Sequence, residues 1–213
     1  PEKFPNAVID DIRVRVGSAR FNSQMLLNPT NIADLYLDPA LIDFYDTPII
    51  YAPELRETFL GSHKITALSA WWDPALATGT GDGSVIAVIA TDTRGHYYIH
   101  HVEYLNVADK MGGNIAQYQC DRVVQILADY RVPKIGIETN GIGQMLPGIL
   151  RETIARERRG TVVVSKNHHT SKNDRIIHAF EIPMAARMIH AHRSVLQTRF
   201  FDEVRDFYPG KSG

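Results

Sequence analysis

The sequence predicts an α/β domain: a mixed sheet built from a three-strand antiparallel meander and later parallel βα units, with helices on its flanks. Three observations predict it. Strand-like apolar runs stand at Ile65–Trp72, Val85–Thr91 and Tyr97–Leu105, with Gly-containing turns at Gly79–Gly83 and Asp92–Gly95 between them. Two further short runs, Ile135–Ile137 and Thr161–Ser165, alternate with stretches of helical period. One such stretch, the 17 residues from Asn114 to Tyr130, carries Ala116, Cys120, Val123, Val124, Leu127 and Tyr130 on a single face.

The elements follow in chain order. Six of the eleven prolines fall in residues 1–60 (Pro1, Pro5, Pro29, Pro39, Pro48, Pro53), so this stretch reads as a linker that packs against a neighbour. Within it, Arg20–Pro29 and Pro39–Tyr45 read as short helices, one ended by its proline and the other started by one. The meander comes next, its first strand running into Asp73-Pro74. After the long helix, Pro133 opens a strand that ends at Glu138. Thr139–Gly143 is a turn, Gln144–Arg158 a helix and Thr161–Ser165 the fifth strand. Ser171-Lys172-Asn173-Asp174 has the form of a helix N-cap, so a helix follows, strained or ended near Pro183. Arg187–His192 reads as extended, and Leu196–Phe207 as a last helix.

With 44% hydrophobic and 22% charged residues, the 213-residue chain can bury a core, which excludes disorder and favours one domain or one domain with an appendage. The longest stretch free of Asp, Glu, Lys and Arg has 13 residues, Phe21–Ala33, short of the roughly 20 that a membrane helix needs. Pro1–Pro5 has no apolar h-region and does not read as a signal peptide. The single cysteine, Cys120, excludes an internal disulfide and a Cys-rich zinc site; it reads as a structural thiol of an intracellular chain. No G-x-x-x-x-G-K-[ST] occurs, so this sequence carries no P-loop. The net charge of −1 conceals an asymmetry: residues 151–213 hold 12 Lys/Arg against 7 Asp/Glu, giving +5, with five of the nine histidines. That third could face a polyanion; the commoner reading of such charge is a set of solvated helix faces.

Two acids stand at strand ends. A carboxylate at the end of a buried strand is costly unless it binds a cation or accepts several hydrogen bonds. For Asp73, before Pro74, the alternative is an Asx-type turn initiator, the commoner role for such a residue taken alone. Glu138 is a poor turn former and a poor strand former, so its place favours a site more strongly. Ligands of α/β sheets gather at the carboxyl ends of strands. If the first and fourth strands are neighbours, the two acids converge there, to share a proton or to bind Mg²⁺ or Mn²⁺ through oxygen ligands.

Weaker candidates surround them. Asp82 sits in the Gly-rich hairpin, as a turn residue or behind a metal site. Lys172 and Arg175 open a helix after a strand and are plausible phosphate contacts. His168 and His169 read as surface or DNA-facing residues. Arg156, Arg158 and Arg159 most simply complement a helix C-terminus.

Five motifs carry a family resemblance in their order and spacing: Trp71-Trp72-Asp73-Pro74-Ala75, Gly81-Asp82-Gly83-Ser84, Ile137-Glu138-Thr139-Asn140-Gly141, Ser171–Ile177 and Glu203–Gly210. Together they resemble the nuclease domain of the large terminase subunit of tailed bacteriophages, over residues 61–213. Arg20–Pro29 is similar to the segment leaving the packaging ATPase of such proteins. The resemblance implies an RNase H-like fold. It also implies a DNA endonuclease that cuts concatemeric viral DNA during packaging, with two Mg²⁺ or Mn²⁺ ions held by acids. Asp73 matches the acid of the family's first strand and Glu138 that of its fourth. A third acid is expected after Gly213, so residues 61–213 read as a nuclease domain truncated at its C-terminus and weakly active alone. Charge balance agrees, since two divalent ions bring +4 against −2 from Asp73 and Glu138 and −1 from the phosphate. Asp202 and Asp206 are expected to point to solvent and not to substitute. Residues 1–60 become a linker or remnant following a packaging ATPase domain. The implied partners are double-stranded viral DNA, the portal, the small terminase subunit and that ATPase, in the host cytoplasm and away from any membrane.

Rival readings are another RNase H-like nuclease of resolvase or transposase type, and a non-catalytic module docking on DNA or portal. An actin-type ATPase shares the three-strand opening but needs a Gly-rich phosphate turn where Asp73–Ala77 stands.

Overall fold

Strand-like apolar runs and helix period account for most of the elements. The computed structural model describes residues 36–75, 83–105, 114–139, 145–157, 160–167 and 170–209. In chain order the elements are a 3₁₀ turn (Pro39–Leu41), β1 (Asp43–Tyr45), β2 (Ile49–Ala52), β3 (Glu57–Leu60), β4 (His63–Asp73), β5 (Val85–Asp92) and β6 (Tyr97–Tyr104). Helix α1 (Ile115–Asp129), β7 (Lys134–Glu138), α2 (Leu146–Arg156) and β8 (Val162–Lys166) follow. Then come α3 (Lys172–Ala185), β9 (Ile189–His192), a second 3₁₀ turn (Arg193–Gln197) and α4 (Phe200–Asp206). The described residues form two compact units, one within residues 46–169 and the other joining residues 36–45 with residues 170–209.

In residues 46–169, β4, β5 and β6 form the expected antiparallel meander. β7 lies parallel to β4, and β8 parallel to β7. The order β6-β5-β4-β7-β8, antiparallel and then parallel, is the RNase H-like arrangement. β4 has 11 residues and is shared along one edge: β3 pairs with its start and β7 with its end. The hairpin of β2 and β3 lies in a stretch read without strands; its pairing to β4 supplies what the local sequence does not advertise.

Period-2 patterning sets the faces. Ile86, Val88 and Ala90 on β5 are fully buried, while the residues between them are half-exposed. Trp72, Ile135 and Ile137 join Cys120, Val123 and Leu127 of α1 and Leu146 and Leu150 of α2 in one core. Asn114 caps α1, its side chain accepting from the Gln117 N–H. The helix ends in a Schellman motif, with Arg131 left-handed at φ 52°, Arg131 N–H bonded to the Ala128 carbonyl and Val132 N–H to that of Leu127.

The other unit pairs β1 in parallel with β9. Leu37, Ile42, Met184, Ile189, Ala191, Val195, Phe201 and Val204 are buried, and the Phe44 and Phe201 rings lie 5.3 Å apart. Two sequence expectations change here, while the expected end of α3 near Pro183 holds. Pro39–Tyr45 is one 3₁₀ turn capped by Asp38 and then a strand, because pairing with β9 draws Asp43–Tyr45 into extended form. The last helix starts at Phe200, not Leu196: a 3₁₀ turn ends first, and Thr198 Oγ1 accepts from Phe200 N–H at 3.3 Å. α3 passes through Pro183 and ends at Ala185. The missing N–H removes one ladder bond, to Ala179, an exposed residue. Arg20–Pro29 lies outside the described residues.

Candidate active site

The three parallel strands β4, β7 and β8 finish together, and their last residues are charged. Trp72 is in register with Ile137, so one step further Asp73 stands beside Glu138. Glu138 is paired with Lys166. Neighbouring strands lie about 4.8 Å apart, and residues in register on parallel strands face the same side. Two carboxylates and an ammonium therefore form one row, Asp73–Glu138–Lys166, at the carboxyl edge. Asp73 and Glu138 are each half-buried. Thr139 secures the edge, with its N–H 3.0 Å and its hydroxyl 3.2 Å from the Lys166 carbonyl.

The row lies on the face opposite α1 and α2. Trp72, Ile137 and Ser165 point toward the helices: Trp72 and Ile137 belong to the core, and Arg151 of α2 donates to Ser165 Oγ at 3.1 Å. Alternation turns Asp73, Glu138 and Lys166 the other way, on the side of Trp71 and Gly136. Trp71 lies across Gly136 so closely that any Cβ there would overlap the indole. The glycine thus lets an aromatic plate form the floor behind the acids.

Buried bonds hold the β4 exit. Trp72 Nε1 donates to Ser84 Oγ at 2.8 Å, tying the strand to the start of β5. Gln119 of α1, buried, donates to the Ala75 carbonyl at 2.9 Å and to the Leu105 carbonyl at 3.3 Å. The chain just past Asp73 is therefore fastened to the helix layer. Neither Gln119 nor Lys166 was singled out by sequence. The signal for Lys166 was available: β7 and β8 each have five residues ending in a charge. For Gln119, a polar residue beside the predicted apolar stripe of α1 was the sign.

The other candidates fall elsewhere. Lys172 and Arg175 lie in the first turn of α3, in the other unit, where Ser171 Oγ accepts from Asp174 N–H at 3.1 Å. Arg156 ends α2 and pairs with Asp121 at 3.1 Å. Asp202 and Asp206 are exposed on α4. Asp82, Arg158, Arg159, His168 and His169 lie outside the described residues. Cys120 is wholly buried, and burial pushes its thiol up to about 12. Two polar clusters have structural roles. Arg122 grips the Glu103 carboxylate through Nε at 2.6 Å and Nη2 at 2.7 Å, strapping α1 to β6; that bond holds Glu103 below its usual range. Asp92, at the end of β5, is surrounded by the donors of its own turn. A groove of about 670 Å³, lined by Tyr51, Ile65, Leu127 and Arg131, lies at the opposite end of β4 from the acid pair.

Paired carboxylates on one face supply the hard oxygen donors that Mg²⁺ or Mn²⁺ prefer. The residues present fit a divalent ion, although among the described residues no cluster of three or more His, Cys, Asp or Glu is arranged to hold one. Among the same residues, no helix is long and apolar enough to cross a membrane.

Strand order and acid pair together define an RNase H-like α/β protein with a two-carboxylate edge. Comparison with solved structures finds the nuclease domain of the large terminase subunit gp2 of bacterial virus Sf6, at 10% identity and TM-score 0.46, covering 65% of this chain and 70% of that one. It also finds Thermus thermophilus RuvC, at 14% identity and TM-score 0.42 over 57% of this chain and 89% of that one. RuvC in complex with a Holliday junction substrate gives 15% identity and TM-score 0.39, over 57% and 78%. At such scores the fold assignment rests on the strand order itself. No family model matches the sequence, and no curated protein matches it.

Proposed function

We propose that the protein is a metal-dependent DNA endonuclease of the terminase type, cutting concatemeric viral DNA during genome packaging. The observation that carries this reading is the adjacency of Asp73 and Glu138 at the carboxyl edge of an RNase H-like sheet. Side by side, two carboxylates repel unless a cation lies between them. Asp73, on the central strand, and Glu138 beside it would hold the Mg²⁺ or Mn²⁺ ions. When bound, such ions supply an activated water and stabilise the departing 3′ oxygen. The chain's own part is to fix the two carboxylates on rigid strands, with Trp71 over Gly136 as a floor and Gln119 fastening the β4 exit.

In this reading residues 61–213 are the nuclease domain and residues 1–60 the segment following a packaging ATPase. Lys172 and Arg175 contact DNA phosphates; the portal and the small terminase subunit are partners, and the host cytoplasm is the place of action. The motifs at Trp71–Ala75, Ser171–Ile177 and Glu203–Gly210 favour terminase over resolvase.

The test is plasmid nicking in Mn²⁺. Asp73→Asn keeps the shape and removes the charge, so nicking should fall by orders of magnitude with the fold intact. Cleavage at the wild-type rate by folded Asp73→Asn would overturn the reading. A four-way junction cut in preference to linear duplex would move it to a resolvase. Changing Lys172 and Arg175 together to Ala should flatten the slope of log affinity against log salt by up to roughly 2.

A further inference from the structure

We infer that Lys166 belongs to the same site and contacts a DNA phosphate there, an inference that rests on the nuclease reading. The register carries it. Lys166 is the partner of Glu138 across β7 and β8, one strand from Glu138 and two from Asp73, or about 5 and 10 Å at the usual strand spacing. Its face is set independently, because Ser165 turns toward α2 to accept from Arg151. Lys166 is exposed, so its flexible four-carbon stem can carry the ammonium over the edge of the sheet.

The charge pattern suits a phosphodiester. The carboxylates attract divalent cations and repel DNA, whereas an ammonium in the same row attracts a phosphate oxygen and orients it toward the pair. A cation so close to the pair also weakens divalent-ion binding before DNA arrives. Both effects follow from Coulomb's law at these separations. A lysine serving only as a cross-strand partner of Glu138 would do neither; it would contribute a little stability, as exposed ion pairs do.

Two measurements on the whole chain separate these roles, and neither needs turnover. The first is calorimetric titration of Mn²⁺ without DNA. Lys166→Ala should bind Mn²⁺ roughly three- to tenfold more tightly, because the opposing charge has gone. The second is duplex affinity in Ca²⁺ against salt. Lys166→Ala should lower the slope of log affinity against log salt by about 0.9, one phosphate's share, and Lys166→Arg should restore it. Unchanged Mn²⁺ affinity, or a slope equal to wild type, would show a strand-pairing lysine and overturn the inference. Weaker Mn²⁺ binding by Lys166→Ala would overturn it too, since the residue would then be supporting the edge. The nuclease reading fails separately, on wild-type nicking by Asp73→Asn, and these titrations still decide Lys166 in that case.

Discussion

Asp92 and Asp73 each close a strand of one sheet, on antiparallel neighbours and therefore at opposite ends of it. Asp92 continues the inward row of Ile86, Val88 and Ala90 and is almost fully buried. The turn that follows meets it with donors: Arg94 N–H at 2.8 Å, His96 N–H at 3.0 Å, the Tyr98 hydroxyl at 3.1 Å and the Arg94 guanidinium at 3.4 Å. Burial alone would push this carboxyl up; the His96 and Arg94 N–H groups, with Tyr98 and the guanidinium, outweigh it and hold the group at about 2. Asp73 is half-buried, and the residue beside it in register is another acid. A strand-end carboxylate is thus structural where its own turn solvates it. It becomes a candidate ligand where the adjacent strand brings a second negative charge.

Substitutions at the two ends should break this contrast in opposite ways. The largest effect is expected at Glu138→Gln: nicking in Mn²⁺ falls about a hundredfold or more while Tm stays level. A folded Glu138→Gln protein that cuts at the wild-type rate would remove the acid pair from the chemistry. At the other end, Asp92→Asn loses charge-assisted bonds in a buried turn. It should cost about 2 kcal/mol, several degrees in Tm, without selectively impairing Mn²⁺ binding. Equal losses of stability in both variants would erase the distinction.

Gly136→Ala sharpens the account of the acid edge. The new Cβ must displace Trp71, at a cost of about 1–3 kcal/mol, and the displaced indole should change the tryptophan emission. An unperturbed spectrum with wild-type stability would show that the indole does not lie there. The pH effect is smaller. The Asp92 carboxyl lies lower folded than its ordinary value of 3.8, so its contribution is complete above that value and is lost as pH falls from there toward 2. Denaturant titrations at pH 5 and at pH 2.5 should differ more for wild type than for Asp92→Asn. The smallest change concerns Cys120, whose buried thiol should resist alkylation until the protein unfolds; reaction at the rate of a free thiol would contradict its burial.

Much of this was readable along the chain because it is local. Apolar runs bounded by Gly-containing turns marked Val85–Thr91 and Tyr97–Leu105, the apolar stripe marked α1, and Ser171 with Asp174 marked the start of α3. Asp73 and Glu138 were visible because a charge at the end of an apolar run stands out in one dimension. Their adjacency was not, since register between strands 65 residues apart depends on how α1 packs beneath β4 and β7. The same holds for Lys166, whose meaning comes from a partner 28 positions upstream. Tertiary pairing also overrode local preference at Asp43–Tyr45, where a proline suggested a helix and β9 imposed a strand. Sequence spells out period, caps and turns, which are set within a few residues. Hydrogen bonding between distant strands decides which charges meet, and so where chemistry can occur.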